Sequence, residues 1–143
     1  ANLFKLLGHY HRALQDYDKA IGLNPQSAAA YYNRSVTYVE LERDAEALED
    51  LNEAIRFDPQ FALAHVLRGR IHIRLEQYEP ALKDYSQAIR LDPNDGLAYA
   101  ARALVHTVLG QDDQAQRDFE LAVGLGVDST GLREAINERK SQR

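Results

Sequence analysis

Residues 79–93 read EPALKDYSQAIRLDP, and residues 45–59, which lie 34 positions earlier, read AEALEDLNEAIRFDP. The same pattern is present in residues 11–25, which read HRALQDYDKAIGLNP. Each stretch carries an aspartate, two alanines and a closing proline in the same register. Since several independent series of residues share one period, the chain is predicted to be an array of internal repeats.

The spacing of apolar residues within one period is helical. Tyr31, Tyr38 and Leu41 lie on one face of a predicted first helix, and a second helix follows from Ala47 to Ile55. The proline that closes each period pushes the residue before it away from helical geometry, so it separates one pair of helices from the next. Small alanines in the second helix let neighbouring helices approach closely, and a larger residue there is expected to overpack the contact.

Residues that can cap a helix follow two of the three repeat prolines. Ser27 and Asp95 each stand just before a predicted first helix, where a side-chain oxygen can accept a hydrogen bond from a backbone N–H. Phe61 occupies the matching position of the middle unit, and its side chain cannot act as a cap. We therefore expect side-chain caps at Ser27 and Asp95 but not at Phe61.

A helix pair with a 34-residue period, two fixed small positions and a closing proline resembles the tetratricopeptide repeat (TPR). The resemblance covers nearly the whole chain. It implies an all-α fold, a right-handed superhelical α-solenoid of helix-turn-helix repeats. It also implies one TPR domain over residues 1–143, with a partial repeat followed by three full repeats: 1–27, 28–61, 62–95 and 96–129.

The end of the chain follows a different pattern. Residues 131–143 place Leu132, Ala135 and Ile136 on one helical face and charged residues on the others. Repeat arrays usually need a polar-faced terminal helix for solubility. We therefore expect residues 131–143 to form a C-terminal capping helix.

The composition argues against several kinds of function. The 143 residues carry a net charge of −5, and the basic residues are not clustered, so nucleic-acid binding is not expected. The absence of cysteine excludes disulfides, thiolate zinc sites and cysteine nucleophiles. No apolar run reaches the length of a membrane span and no signal peptide opens the chain, which favours a cytoplasmic location. Methionine is missing even at position 1, so we expect a piece of a longer protein.

The sequence contains no recognisable catalytic or cofactor motif. A phosphate-binding glycine loop, a nucleophile elbow and a zinc-protease helix are all missing, so we expect neither an enzyme nor a cofactor. His9 and His11 are expected to be exposed rather than to hold a metal ion. His65, His72 and His106 replace aromatic residues of the TPR pattern, so a packing role is predicted for them.

Arginine recurs at position 7 of the repeats, and aspartate recurs at position 23. A planar guanidinium can bind a carboxylate through two hydrogen bonds, so we hypothesise an arginine–aspartate ladder within repeats or between neighbours. The alternative is a basic stripe that binds an acidic ligand. The residues concerned are Arg34, Arg68 and Arg102, with Asp16, Asp50, Asp84 and Asp118.

The resemblance also implies where a partner binds. In TPR proteins the first helices line a concave groove, and its ligand-contacting positions are mostly apolar in this chain. Arg70 and Arg74 share a helix face, and Asn33 can hold a peptide main chain. The groove is therefore predicted to bind an extended or helical peptide with apolar side chains and an acidic anchor. The predicted groove residues are Tyr32, Asn33, Val36, Val39, Glu40, Val66, Leu67, Arg70, Ile73, Arg74, Leu104 and Val108.

One branch of the TPR family binds chaperone tails through a carboxylate clamp of asparagines and basic residues. Asn2 and Asn33 match the two asparagines of that clamp. Leu63 and Leu67 occupy the positions of its third-repeat basic residues. Binding of a chaperone tail through this clamp is therefore not expected.

Other roles stay open for the chain and for part of its groove. Phe4, Leu6 and Leu7 can pair with a second copy, which would make the protein a self-assembling structural array with a homo-oligomer contact at its N-terminal end. The chain can also be a regulatory segment of a larger protein. Within the groove, Leu104 and Val108 can pack against the terminal helix instead of a ligand.

Overall fold

The fold consists of helices joined by short turns. A computed structural model describes residues 2–142, with side chains from Leu6 onward, so predictions that concern the side chains of Asn2 and Phe4 lie outside the described residues. Within residues 2–142 there are eight helices and no strand, which confirms the predicted all-α helical solenoid class. The helices are α1 (Asn2–Leu23), α2 (Ala28–Glu40), α3 (Asp44–Phe57), α4 (Ala62–Arg74), α5 (Tyr78–Leu91), α6 (Gly96–Val108), α7 (Asp112–Gly124) and α8 (Ser129–Ser141).

The chain divides into two compact units, Ala1–Ala64 and His65–Arg143. In the first unit, α2 packs against α1 and α3. In the second unit, α6 packs against α5, α7 and α8. None of the helices within residues 2–142 is both long and apolar enough to cross a membrane. The helix pairs α2–α3, α4–α5 and α6–α7 fall within the predicted repeats 28–61, 62–95 and 96–129.

The turn between the two helices of each full repeat has the same backbone geometry. Glu42, Glu76 and Gly110 adopt φ values of 57°, 56° and 74° at equivalent positions. The backbone N–H of the next residue then donates to a carbonyl five residues back, at 2.8 Å in all three turns. This is the Schellman arrangement that satisfies free carbonyls at a helix end. Two of the three turns therefore hold a glutamate in a conformation that favours glycine.

We expect Glu76→Gly to raise the free energy of unfolding by about 0.5–1 kcal/mol, because the left-handed conformation costs a residue with a Cβ about 1–2 kcal/mol. The greater flexibility of unfolded glycine offsets part of the gain. Urea denaturation followed by circular dichroism measures the difference. Gly110→Ala is the matched reverse change and should lower the urea concentration at the unfolding midpoint. A Glu76→Gly midpoint at or below the wild-type value would contradict the prediction.

The predicted partial repeat 1–27 differs from the other repeats. The TPR pattern places the end of a first helix, a turn and a second helix there, but the structure has one continuous helix, α1, that passes through Gly8. Gly8 is equivalent in register to Glu76 and Gly110, so the expected turn is wrong at this point. The physical difference lies in the backbone at Gly8, which is helical and lacks the positive φ that ends α2, α4 and α6 at the equivalent positions.

The core of each unit contains the alanines and large apolar residues of the second helices, which residues of α6 and α8 join in the second unit. In the first unit, Ala47, Leu51 and Ala54 of α3 are fully buried at 0% exposure. In the second unit, two clusters contain the buried residues Ala81, Tyr85, Ile89, Ala98 and Val105, and then Ala100, Ala103, Phe119, Ala122, Leu132 and Ile136. The second cluster joins α8 to α6 and α7, which agrees with the predicted capping helix.

The helix caps follow the sequence prediction. The Ser27 hydroxyl accepts from the N–H of Ala30 at 3.3 Å, and a carboxylate oxygen of Asp95 accepts from the N–H of Ala98 at 3.1 Å. The Phe61 side chain instead packs on the ring of Tyr32, with 4.8 Å between ring centroids.

The start of α8 was predicted two residues too late. The Asp128 carboxylate accepts from the N–H of Gly131 at 2.6 Å and begins the helix at Ser129 rather than at residue 131. A side-chain oxygen that satisfies a free N–H in the first turn fixes where a helix starts.

Candidate functional site

The predicted groove residues lie on three helices in two units. α2, in the first unit, carries Tyr32, Asn33, Val36, Val39 and Glu40. α4 and α6, in the second unit, carry the others, which are Val66, Leu67, Arg70, Ile73, Arg74, Leu104 and Val108.

The face of α2 presents polar and apolar groups together. Asn33, Val36 and Glu40 are exposed, and Val36 is 36% accessible. The hydroxyl of Tyr10 on α1 donates to a Glu40 carboxylate oxygen at 3.5 Å, so Glu40 is partly engaged within the unit. Tyr32 is half-buried. The α2 face therefore offers an amide, an acidic group and one accessible valine to a partner.

The face of α4 in the second unit is basic. Arg70 and Arg74 are both exposed and lie one helical turn apart. Val66 and Ile73 are half-buried and pack against the cluster around Tyr85. Leu67 is only 7% exposed, so the structure places it in the core, and its predicted position on the ligand-accessible surface is wrong. A side chain with so little exposed surface packs inside the protein and offers little contact area to a ligand.

A cavity of about 70 Å³ opens between α4, the start of α5, α6 and α8. Its walls are apolar apart from the Tyr78 hydroxyl and the Arg139 guanidinium. It adjoins a wider cleft of about 260 Å³, which Glu138 and Gln142 also line. The lining residues of the smaller cavity are Ile73, Tyr78, Ala101, Leu104, Val105, Val108 and Arg139.

The sequence prediction did not include Tyr78 and Arg139 in the site. Tyr78 is the first residue of α5, and Arg139 belongs to the last turn of α8. Neither lies on a first helix of a repeat, so the repeat register gave no signal for them. Leu104 lines the cavity and also contacts the cluster that contains Leu132 and Ile136 of α8. The alternative prediction, in which Leu104 packs against the terminal helix instead of a ligand, is therefore partly correct.

The predicted arginine–aspartate ladder is confirmed within each full repeat. Nε and Nη2 of Arg102 donate to the two carboxylate oxygens of Asp118 at 2.7 and 2.8 Å, and Arg102 also donates to the Ser86 hydroxyl at 3.0 Å. These arginine side chains are only 19–21% exposed, so they do not form the alternative basic stripe for a ligand. The same two-point contact joins Arg34 to Asp50 and Arg68 to Asp84.

The three histidines of the TPR packing positions also approach the buried aspartates. Nδ1 of His65 lies 3.4 Å from an Asp84 carboxylate oxygen, and Nε2 of His106 lies 3.7 Å from one of Asp118. Burial raises the pKa of Asp84, but hydrogen bonds from His65 and Arg68 outweigh it and hold that pKa below its usual range. The predicted packing role is therefore confirmed, and it includes a polar contact.

The remaining histidines and carboxylates do not gather into a metal site. His9 and His11 are exposed on α1, and a ring nitrogen of His11 lies 3.3 Å from the amide nitrogen of Gln15. Among the residues that the structure describes, no group of three or more histidines, aspartates or glutamates has the geometry to hold a metal ion.

The helix pairs and the exposed faces of their first helices are typical of one class of protein, the helical-repeat proteins. Two family models, each described as a tetratricopeptide repeat, match residues 1–60 and 62–95. The chain belongs to the tetratricopeptide repeat family. None of the curated proteins matches it significantly.

Several solved structures resemble the chain. YrrB, described as a TPR protein with an unusual peptide-binding site, is 26% identical with a TM-score of 0.83, and the match covers 99% of this chain and 73% of YrrB. The second TPR of Spaghetti (RPAP3), bound to the HSP90 peptide SRMEEVD, is 29% identical with a TM-score of 0.67. The match covers 80% of this chain and 98% of the Spaghetti domain. MamA from Desulfovibrio magneticus RS-1 is 24% identical with a TM-score of 0.74, and the match covers 85% of this chain and 68% of MamA. This likeness shows the fold alone.

Proposed function

We propose that the protein is an interaction scaffold that binds a peptide or protein segment on the exposed faces of its first helices, with apolar contacts and an acidic anchor. Proteins of this family are generally interaction modules rather than enzymes. Two of its structural relatives are described as peptide-binding, and one of them holds the acidic peptide SRMEEVD. These relatives support a peptide ligand for this chain.

The observation that carries the proposal is the basic face of α4. Arg70 and Arg74 are exposed in a chain whose net charge is −5, and the half-buried Ile73 lies between them in sequence. Arg70 makes no ion pair within residues 2–142, so its guanidinium has donors for a ligand carboxylate. A charge-assisted hydrogen bond to arginine is stronger than a neutral one. Apolar surface next to arginine favours a ligand that combines acidic and apolar groups.

The proposed mode of binding differs from the chaperone-tail clamp. Leu63 and Leu67 stand at the positions that the TPR resemblance gives to basic clamp residues. The acidic group of a ligand would instead meet Arg70 and Arg74, which lie further along α4.

A peptide array tests the proposal. The probes are heptapeptides that vary the number of acidic and aliphatic residues, and the protein is compared with an Arg70→Glu/Arg74→Glu variant. We expect the wild type to retain acidic–aliphatic peptides and the variant to bind them about tenfold or more weakly, because charged hydrogen bonds contribute about 1.5–3 kcal/mol. Lys83→Glu/Arg90→Glu makes the same charge change at exposed positions of α5 and should bind like the wild type.

Circular dichroism first establishes that both variants fold. Retention of the same peptides by the wild type and by the Arg70→Glu/Arg74→Glu variant would exclude the two arginines as anchors. Failure of the wild type to retain any peptide would overturn the proposed function itself.

Self-assembly is the second candidate, and it is supported by the exposed apolar residues of α1. Leu6 and Leu7 are 47% and 45% exposed, and Ala20, whose equivalents in the other second helices are buried, is exposed as well. If this face binds a second copy, the mass measured by sedimentation should rise with concentration, and Leu6→Glu/Leu7→Glu should abolish the rise. A monomer mass at every concentration would contradict self-assembly. A role as the regulatory segment of a larger protein stays a prediction.

A further inference from the structure

The cavity in the second unit has the size of one aliphatic side chain. Its volume is about 70 Å³. A cavity that binds benzene has about 150 Å³, so an aromatic ring does not fit without rearrangement. The apolar walls come from α4 and α6, and Val105 among them is 1% exposed. The other lining residues are half-buried among packed helices, so the cavity is already formed before any ligand arrives.

Arg139 supplies a positive charge at the same cavity. One of its terminal nitrogens donates to the carbonyl of Ala135 at 3.2 Å, which holds the guanidinium against α8. Arg139 forms no ion pair in the part of the chain that the structure describes, and the neighbouring Glu138 lines only the adjoining wider cleft. The other guanidinium donors can therefore serve a carboxylate that lies next to the apolar walls.

We propose that this cavity is a specificity subsite that takes one valine, leucine or isoleucine side chain of a bound peptide, with an adjacent aspartate or glutamate bound to Arg139. The inference rests on the proposed function, because it specifies which peptide residues one part of the same binding surface takes. The aliphatic and acidic groups must be neighbours, because Arg139 and the apolar walls line one small cavity. The wider cleft beyond Arg139 has room for the peptide to continue, so the site can take an internal segment of a partner chain.

Four peptides test the size and charge of the subsite. They are N-acetylated and C-amidated heptapeptides of glycine and serine with a central Asp-Leu, Asp-Ala, Asp-Phe or Asn-Leu. Binding is followed by titration of backbone amide resonances, which detects weak complexes. We expect the Asp-Leu peptide to bind about tenfold more tightly than the Asp-Ala and Asp-Phe peptides, since a few methylenes in an apolar pocket give about 10–200-fold discrimination.

Two variants separate a binding role from a structural one. Arg139→Gln should remove the preference for Asp-Leu over Asn-Leu, because only the guanidinium distinguishes the acid from the amide. Val108→Ala should enlarge the cavity and improve the binding of Asp-Phe relative to Asp-Leu. Arg133→Gln changes an exposed arginine of the same helix outside the cavity and should leave both preferences unchanged.

The outcomes distinguish the subsite from the proposed function. If the peptides bind but Arg139→Gln and Val108→Ala leave the preferences unchanged, the subsite is overturned while peptide binding stands. If none of the four amidated peptides binds but the same peptides with a free C-terminal carboxylate do, the internal acidic residue is overturned. If the wild type binds no peptide here and none on the array, both proposals are overturned.

Discussion

Replacement of Arg102 by alanine should lower the free energy of unfolding by about 3 kcal/mol, because breaking a buried ion pair leaves one charge without a partner. Asp118 is only 4% exposed, and both of its carboxylate oxygens accept hydrogen bonds from Arg102. Water cannot readily replace the guanidinium at this depth. Urea denaturation, read by circular dichroism and by tyrosine fluorescence, measures the loss.

Two controls separate the buried charge from other effects of the change. Arg56→Ala removes an arginine from an exposed pair with Glu53, whose side chains are 60% and 39% accessible, and should change the stability little. The double change Arg102→Met/Asp118→Leu replaces the buried pair with apolar side chains and should be more stable than Arg102→Ala. Equal stability of Arg102→Ala and the wild type would show that the ladder does not stabilise the fold.

Ala122→Leu should destabilise the second unit by about 3 kcal/mol, at the upper end of the usual cost of overpacking a core. Ala122 is 0% exposed and lies in the cluster that joins α6, α7 and α8. A leucine there must push apart helices that approach closely because the residue is small. The change should also shift the amide resonances of α8, which packs on the same cluster.

The chain provides a matched control for this prediction. Ala20 occupies the same register as Ala122, but it is exposed on α1. Ala20→Leu should therefore alter the stability by no more than about 0.5 kcal/mol, as expected for a surface change. Equal destabilisation by the two substitutions would mean that the effect comes from helix propensity rather than from packing.

The sequence predicted the features that depend on local spacing. The caps at Ser27 and Asp95 and the contact between Arg102 and Asp118 follow from residue types at fixed separations. Each of these features is formed within one repeat or at its start. A periodic pattern is therefore enough to locate them.

The features that the sequence did not predict depend on packing between elements. Helix α1 continues through Gly8 without a turn. Whether a turn forms there depends on how the helical hydrogen bonds compare with the packing of a separate first helix, and the repeat pattern does not encode that comparison. The burial of Leu67 and the approach of Arg139 to the cavity depend on how α4 and α8 rotate against their neighbours. No residue spacing encodes those rotations.

The arginine–aspartate contact also bears on how such an array can lengthen. In each full repeat the two partners stand 16 residues apart, as in Arg34 with Asp50 and Arg102 with Asp118. A duplication of one 34-residue unit therefore copies a cation together with its own counter-ion. Insertion or deletion of whole units leaves no buried charge without its partner. The array can therefore change its length, in evolution or by design, without further substitutions to neutralise a buried charge.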